Sequence, residues 1–206
     1  DGKTIVFELL GDLYTMPISG GTATRISSGP GFDSQPRWSP DGKRIVFLSD
    51  RNGAENVWLC DPDGSNSKAL TKGTNNLYAS PEWTPDGKYV VVSRSTGVLG
   101  SVYELWLIDK DGGSGAAMLR VQAGPNMPPP MNTLGAAFGK DPRYIWVSRH
   151  RGGFGYNLQY PLWQLAIYDR QNGRLFTQTD VYGSGMRPAP AGEECELGRR
   201  IVLGEG

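Results

Sequence analysis

Short apolar strands and polar turns alternate along the chain, and the unit they form is clearest in the segment around Trp38. A stretch of β-branched and aromatic residues, 44–48, follows the tight turn 39–42, in which proline presets φ and glycine tolerates a positive φ. A second apolar stretch, 56–60, leads through an Asp-Gly turn into a short strand at 67–71. Because Trp38 closes another strand before the first turn, the pattern predicts four antiparallel strands in succession.

The same unit recurs along the chain. Asp-Gly-Lys turns begin at Asp1, Asp41 and Asp86, and a related Asp-Pro-Arg turn begins at Asp141, so the spacing rises from 40 to 45 to 55 residues. A fifth, degenerate turn is predicted at 198–200. Third strands of the unit are predicted at 12–16, 56–60, 104–108 and 164–168. A repeat of this length with four strands per unit predicts the blades of a β-propeller, in which each blade buries its apolar faces against its neighbours.

We therefore predict an all-β fold, a single β-propeller domain over residues 1–206. Its four to five blades of four antiparallel strands are incomplete at both ends. The predicted blades are 1–27 (partial), 33–73, 78–122, 133–179 and 185–206 (partial). Because the chain begins inside a repeat turn, we expect it to be a fragment of a longer protein. Strands at 186–189 and 200–203 can complete the blade that begins with strand 4–7, or else unpaired strand edges can join two copies as a homodimer.

Five aromatic residues recur at fixed places in the predicted unit. Trp38, Trp83 and Phe138 end first strands, while Trp58 and Trp106 lie in third strands. Since propeller blades pack face to face, we expect these side chains in the core between blades rather than in a ligand-binding cage.

Composition and charge exclude several classes of function. The 206 residues carry 21 Lys and Arg against 21 Asp and Glu, for zero formal charge. We therefore expect no nucleic-acid partner and no basic patch that binds membranes. No apolar run approaches the roughly 18 residues that a membrane span needs. With 38% hydrophobic and 10% aromatic residues, the chain is too apolar to be disordered.

Candidate chemistry is sparse. The one histidine, His150, lies in a predicted polar loop, where an exposed side chain is expected more often than a catalytic one. Cys60 and Cys195 are expected to be free thiols, with a disulfide as the first alternative and a metal site as the second. Nucleophile-elbow, P-loop and dinucleotide motifs are absent, and the turn 61–66 is no calcium loop because Lys72 stands where the bidentate glutamate should be. We therefore predict no catalytic residue, no metal and no cofactor, and a chain that is not an enzyme by itself.

Four arginines are predicted to follow the second strands of the blades: Arg51, Arg94, Arg149 and Arg151. Loops carry function more often than the scaffold does. Guanidinium groups at this end of the blades can bind a carboxylate or a phosphate, or dock an acidic protein surface. The alternative is that they are solvated or pair locally with Asp50 and Glu55.

Three longer segments, 97–103, 123–131 and 150–163, are expected to converge on the same face of the propeller. The last of them carries the remaining candidates for partner binding: His150, Phe154, Tyr156, Tyr160 and Trp163. Exposed aromatic residues on such an insertion usually mark an interface. The alternative is that they fold back onto their own blade.

The repeated motif resembles that of TolB-like propellers, which carry repeats of the PD40 or WD-like type. The resemblance rests on Trp-Ser-Pro-Asp-Gly-Lys at 38–43 and Trp-Thr-Pro-Asp-Gly-Lys at 83–88, together with Val57-Trp58 and Leu105-Trp106. Such repeats occur in the periplasmic Tol-system protein, in tricorn-type proteases and before the catalytic domain of prolyl-oligopeptidase-like peptidases. The stretches 11–14, 75–84 and 133–139 are most similar to the propeller of secreted bacterial metal-dependent amidohydrolases, whereas 190–197 departs from the repeat.

The resemblance implies a periplasmic or secreted, non-catalytic propeller that binds a protein or peptide or controls substrate access. Its partner can be the catalytic domain of a larger, amidohydrolase-like hydrolase that lies outside this chain. The alternative is a stand-alone periplasmic TolB-like propeller that binds proteins.

Overall fold

A computed structural model describes residues 2–96, 102–120, 131–151 and 163–177. Every regular element among them is a β-strand, so the predicted all-β propeller fold is confirmed. The strands are β1 (Thr4–Leu9), β2 (Asp12–Pro17), β3 (Thr24–Arg25), β4 (Asp33–Trp38), β5 (Ile45–Ser49), β6 (Asn56–Cys60), β7 (Lys68–Ala69), β8 (Leu77–Trp83), β9 (Tyr89–Ser95), β10 (Glu104–Asp109), β11 (Ala116–Leu119), β12 (Met131–Phe138), β13 (Tyr144–Arg151), β14 (Trp163–Asp169) and β15 (Leu175–Thr177).

The strands form four antiparallel sheets in which neighbours in sequence are neighbours in space. The first blade contains β1 to β3, the second β4 to β7, the third β8 to β11 and the fourth β12 to β15. Among the described residues, the first blade contains no counterpart of the innermost strands β4, β8 and β12. Each sheet packs against the next, so the blades follow one another in chain order.

The core consists of three layers of apolar side chains between successive blades. Ile45 and Phe47 of β5 pack towards the first blade, whereas Val46 and Leu48 pack towards the third. Both faces of β5 are therefore buried, which explains why the strand reads as a continuous apolar run rather than an alternating one. The five recurrent aromatic residues pack in these layers, as predicted: Trp38 and Trp58 in the first, Trp83 and Trp106 in the second and Phe138 in the third.

Two second strands are longer than the sequence pattern predicts. β9 continues through Arg94 to Ser95, and β13 continues through Arg149 and His150 to Arg151. The prediction that these residues follow the strands in loops is therefore wrong. They stay in the ladder because the facing inner strands are equally long, with residue 131 paired to Arg151 and residue 77 to Ser95. The backbone hydrogen bonds of an antiparallel pair continue as long as both strands do, whether the side chains are polar or apolar.

A β-bulge occupies the same place in each complete inner strand. Gln35 (φ 52°), Ser80 (φ 53°) and Gly135 (φ 69°) adopt the left-handed conformation, and the register shifts there in all three blades. Side chains of the preceding blade bind two of the bulges. The Glu8 carboxylate accepts the N–H of Gln35, and the Gln35 side-chain oxygen accepts the N–H of Ser80 at 2.6 Å. The first of these bonds joins the first blade to the second, and the other joins the second blade to the third.

An ion pair between Arg143 and Asp169 joins β13 to the end of β14. The guanidinium donates to both carboxylate oxygens, from Nε to Oδ1 at 2.8 Å and from Nη2 to Oδ2 at 2.5 Å. This bidentate contact lowers the pKa of Asp169 from its ordinary value of 3.8 to about 2. A carboxyl with a lowered folded-state pKa stabilises the fold above its unfolded pKa, and the stabilisation is lost as the pH falls towards the folded pKa.

We expect Arg143→Gln to reduce the loss of stability between pH 4 and pH 2, since Asp169 would then titrate nearer its ordinary pKa. The midpoint of thermal unfolding measured across this pH range checks the expectation. Lys140→Gln makes the same charge change on an exposed side chain and should leave the pH profile of the parent chain intact. Parallel profiles for the parent chain and Arg143→Gln would show that the pair does not control acid stability.

Candidate functional site

The two ends of the sheets differ in construction. One end, the turn face, consists of short hydrogen-bonded turns at 39–42, 61–64, 84–87, 109–112 and 169–173. The other end, the loop face, contains the connections between second and third strands and the connections between blades. Its described parts are residues 10–11, 26–32, 50–55, 70–76 and 102–103. The predicted site residues that the structure describes, Arg51, Arg94, Arg149, His150, Arg151 and Trp163, belong to this loop face or to the strand ends that lead into it.

Hydrogen bonds between blades hold the loop face together. One of the first three residues of each inner strand donates its backbone N–H to the preceding blade. Asp33 donates to the carbonyl of Gly11 at 2.8 Å and Thr133 to that of Tyr103 at 2.9 Å. Tyr78 donates to the Glu55 carboxylate at 2.5 Å. The loop face is thus a connected surface that spans all four blades.

Glu55 and Tyr103 are two titratable groups whose pKa values this construction raises. Burial raises the pKa of Glu55, against the hydrogen bond from Tyr78 and with a smaller contribution from the charge of Asp50. Burial also raises the pKa of Tyr103, and the charge of Glu55 adds to the effect. Since the Glu55 carboxylate is bound to a backbone N–H, its evident role is to fix the third blade against the second.

Arg51 is part of a network of four side chains. Its guanidinium forms an ion pair with Asp33, a side chain that is 1% exposed. It also donates to the hydroxyls of Ser49 and Ser67, both at 3.0 Å, and lies 5.0 Å above the ring of Trp58. The sequence-based alternative of a local pair with Asp50 or Glu55 is wrong, because the partner comes from the adjacent inner strand.

Arg94 makes a similar stack without a carboxylate. Its guanidinium lies 4.1 Å above the ring of Trp106, which occupies the same place in the third blade as Trp58 in the second. Nε and Nη2 both donate to the side-chain oxygen of Asn76, at 3.2 and 3.0 Å. A neutral amide thus takes the place that Asp33 holds beside Arg51.

Arg149 occupies the position in the fourth blade that Arg94 occupies in the third. On the inner strands, Thr133 lies opposite Arg149 and Tyr78 lies opposite Arg94. The residue of the second blade that corresponds to Thr133 and Tyr78 is Asp33. The Nε atom of Arg149 is buried and has no hydrogen-bond partner in the part of the chain that the structure describes. Burial lowers the pKa of the Arg149 guanidinium. Within the described ranges, a carboxylate therefore neutralises Arg51, a neutral amide binds Arg94, and Arg149 forms no ion pair.

His150 is buried, with 4% of its surface exposed. The prediction of an exposed loop histidine is wrong because β13 extends through it and pairs it with Asn132 on one side and residue 163 on the other. Arg151 pairs with residue 131, and Trp163 begins β14 opposite His150. Phe154, Tyr156 and Tyr160 lie outside the described residues, as do most of the three longer segments, so their convergence on one face stays a prediction.

Exposed apolar side chains are concentrated on the loop face. Leu9, Leu10, Phe32 and Leu77 are exposed there, whereas Ile18 is exposed near the turn face. Leu10 is 94% exposed and adopts φ 54°, a conformation that a bulky apolar residue rarely takes. Both features suit a contact residue better than a packing residue.

The described residues contain no group of three or more His, Cys, Asp or Glu side chains arranged to hold a metal ion. Cys60 is a free, buried thiol whose pKa burial raises to about 12. Cys195 lies outside the described residues. In the described ranges no helix is long and apolar enough to cross a bilayer.

Sequence reasoning missed several residues that define these surroundings: Asp33, Asn76, Lys72, Trp106 and Arg120. Trp106 is interpreted from the sequence as a core residue, and it does pack against the core, but its ring also carries Arg94 and Arg120. The shared third-strand position of Trp58 and Trp106, together with an arginine near the end of each preceding strand, is the signal that could have predicted the two stacks.

Known proteins resemble this chain along much of its length. An uncharacterized protein of Agrobacterium fabrum is 31% identical over 122 residues, which are 55% of this chain and 42% of that protein. The Tol-Pal system protein TolB of Bordetella pertussis is 36% identical over 59 residues, 28% of this chain and 14% of TolB. The chain therefore spans less than half the length of the curated relatives it matches.

Solved structures show the same fold. TolB from Acinetobacter baumannii superimposes with a TM-score of 0.63 at 22% identity, over 88% of this chain and 42% of that one. A puromycin-hydrolyzing peptidase of Mycobacterium tuberculosis gives 0.55 at 14% identity, over 81% of this chain and 24% of the peptidase. None of these relatives is an amidohydrolase, so that predicted likeness has no support among them.

The family model of the tricorn protease N-terminal β-propeller domain matches residues 1–181. The match agrees with the blade architecture described above and with the resemblance to TolB. The chain belongs to the family of the tricorn protease N-terminal β-propeller domain.

Proposed function

We propose that this chain is a non-catalytic binding module that takes up a protein or peptide on its loop face. One observation carries the proposal: that face combines exposed apolar side chains with arginines that form no ion pair within the described part of the chain. Leu10 and Phe32 are exposed there, and Arg94 and Arg149 lie in strands that lead into it. Such a combination suits a peptide that offers both apolar and acidic groups.

The relationship to TolB supports a periplasmic or secreted location and a protein partner, and we include both in the proposal. The arginines, with His150, Arg151 and the aromatic residues Phe154, Tyr156, Tyr160 and Trp163, remain the proposed contact set. The buried positions of Arg51 and His150 suit a supporting role in this set better than direct contact.

Leu10→Asn tests the proposal on peptides selected from a random library against the parent chain. We expect at least about tenfold weaker binding, since burial of a leucine side chain stabilises a complex by roughly 1.5–3 kcal/mol. Asparagine tolerates the left-handed conformation of residue 10, so the variant should fold at least as well as the parent. Fluorescence anisotropy of a labelled peptide measures the affinity, and thermal unfolding checks the fold.

Ile18→Asn is the matched control, because Ile18 is 65% exposed but lies near the turn face. We expect the control to bind the selected peptides as the parent does. Equal losses in both variants, or no loss in Leu10→Asn, would contradict a site on the loop face.

A second candidate function is that of an accessory region that controls substrate access in a larger hydrolase. It is favoured by the family match, since that family is named for the N-terminal propeller of a protease. In a parent hydrolase, deletion of the propeller should widen the range of peptide lengths that are cleaved and leave turnover of a small ester substrate unchanged. Equal changes for long and short substrates would argue against an access role.

A further inference from the structure

A groove of about 590 Å³ lies between the second and third blades and runs from the loop face along the outer strands. Its polar and aromatic lining includes Lys72, Asn76, Arg94, Trp106, Ser114 and Arg120. Three of these side chains are cationic, and no described aspartate or glutamate lines the groove. A concave site with one sign of charge attracts ligands of the opposite charge.

The cations of the groove are not neutralised by the fold. None of the ion pairs in the described ranges involves Lys72, Arg94 or Arg120. The carboxylate nearest to the Trp106 indole is that of Glu104, which accepts a hydrogen bond from Trp106 Nε1 at 3.1 Å. Glu104 lies opposite Arg94 in the β9–β10 pair and does not line the groove. With Arg94 and Trp106 it lines an adjoining cavity of about 230 Å³.

Arg94 has N–H groups that its hydrogen bonds to Asn76 do not use. A guanidinium group carries five N–H donors. Two nitrogens of Arg94, Nε and Nη2, bind one acceptor, the side-chain oxygen of Asn76. The stack on Trp106 fixes the plane of the guanidinium, and the Arg120 guanidinium lies 5.8 Å from the same ring. A planar group held in this way is prepared for a bidentate contact with a carboxylate.

The neighbouring interface shows what such an arginine binds in this fold. Arg51 also stacks on a third-strand tryptophan, and there the chain supplies a carboxylate, Asp33. Tyr78 stands at the position of Asp33 in the third blade, and it lines the groove. Of the described residues, neither Tyr78 nor Asn76 supplies a carboxylate to Arg94, and the edge of the guanidinium that does not face Asn76 has no partner there.

We propose that this groove binds a peptide carboxylate, from an acidic side chain or a free C-terminus, with Arg94 as its anchor. Lys72 and Arg120 flank the carboxylate and slow its release, and Trp106 holds the anchor in place. The inference rests on the proposed peptide-binding function and identifies the chemistry that the peptide must offer.

Three fluorescein-labelled Gly-Ser peptides of equal length test the proposal by anisotropy at low ionic strength. One ends in a free carboxylate, one ends in an amide, and one ends in an amide but carries two internal aspartates. We expect the amide without aspartates to bind about tenfold more weakly than at least one of the others, since a charge-assisted hydrogen bond contributes roughly 1.5–3 kcal/mol. The carboxylate peptide that binds better identifies the source of the ligand group.

Arg94→Gln should abolish the preference for carboxylates. Because Arg94 also packs on Trp106, its substitution can disturb the fold as well as the site. A second variant combines Lys72→Gln with Arg120→Gln, two exposed positions, and leaves the Arg94–Trp106 stack in place. It should weaken binding about fivefold. Lys43→Gln with Lys88→Gln makes the same charge change on the turn face and should bind as the parent does.

Two results would overturn the carboxylate site: equal affinity for all three peptides, or equal binding by the groove variants and the turn-face control. If library-selected peptides still bind in a manner that depends on Leu10, the proposed function stands without this site. If neither the selected peptides nor the carboxylate peptides bind the parent chain, both proposals are wrong.

Discussion

Asp33→Ala is expected to lower the free energy of unfolding by about 3 kcal/mol, because it leaves the guanidinium of Arg51 without its carboxylate. Asp33 is 1% exposed, and the Arg51 side chain is only 18% exposed, so water cannot replace the lost partner well. We place the loss at the lower end of the range for broken buried pairs because the stacks on Phe47 and Trp58 remain. Urea unfolding monitored by tryptophan fluorescence measures the change.

Asp12→Ala is the control for this prediction. Asp12 pairs with Arg25, but their side chains are 24% and 49% exposed, so the loss should not exceed about 1 kcal/mol. Adding Arg51→Met to Asp33→Ala should restore part of the stability, since it removes the uncompensated charge and keeps an apolar side chain over Trp58. A double variant that loses the sum of the two single losses would show that the pair is not coupled.

Gly64→Ala is expected to destabilise the fold by about 3 kcal/mol. Gly64 closes the turn after β6 at φ 84°, where a Cβ atom costs roughly 1–2 kcal/mol in backbone strain. A Cβ atom there would also lie 1.7 Å from the carbonyl oxygen of Ile26 in the first blade, so the two blades would have to move apart. Overpacking of this kind adds roughly 1–3 kcal/mol.

Gly53→Ala separates the two contributions. Gly53 has φ 91° and ends a turn of the same type, but a Cβ atom there meets nothing within 4 Å. We therefore expect a loss of about 1–2 kcal/mol from backbone strain alone. Equal losses at Gly53 and Gly64, measured by urea unfolding, would mean that the close approach of the blades at Gly64 contributes nothing to stability.

The regular parts of the fold could be predicted from the sequence because they depend on local patterns. Turns such as 39–42 and 84–87 combine proline and glycine at fixed places, and the strands between them are short and apolar. The repeated aromatic positions gave a correct prediction of the core between blades, since the same side chain meets the same neighbour in each unit.

The site was less predictable because it depends on the length and register of the paired strands, which the residues around each position do not indicate. Asp33 neutralises Arg51 only because β4 and β5 pair in a register that the bulge at Gln35 shifts. His150 is buried because β12 is long enough to pair with it, which the polar residues around it do not indicate. Local pattern cannot reveal either partner, and it therefore suggested a loop histidine and solvated arginines.

The comparison of the three interfaces carries more functional information than any single residue. Each complete blade has a bulged inner strand and an arginine at or just beyond the end of its second strand. Of Arg51, Arg94 and Arg149, only Arg51 forms an ion pair within the described ranges. Where equivalent positions of the repeated blades carry different residues, the fold does not require a particular residue. The groove beside Arg94 is such a place, and this is why we locate ligand recognition there.

Hydrogen exchange of the chain with and without a library-selected peptide tests the central claim most directly, because it locates the bound surface without any substitution. A peptide on the loop face should slow exchange in segments 50–55 and 71–77 and leave the turns 39–42 and 84–87 unchanged. Protection confined to those turns, or to the outer edge of the first blade, would place the ligand elsewhere and contradict binding at the loop face.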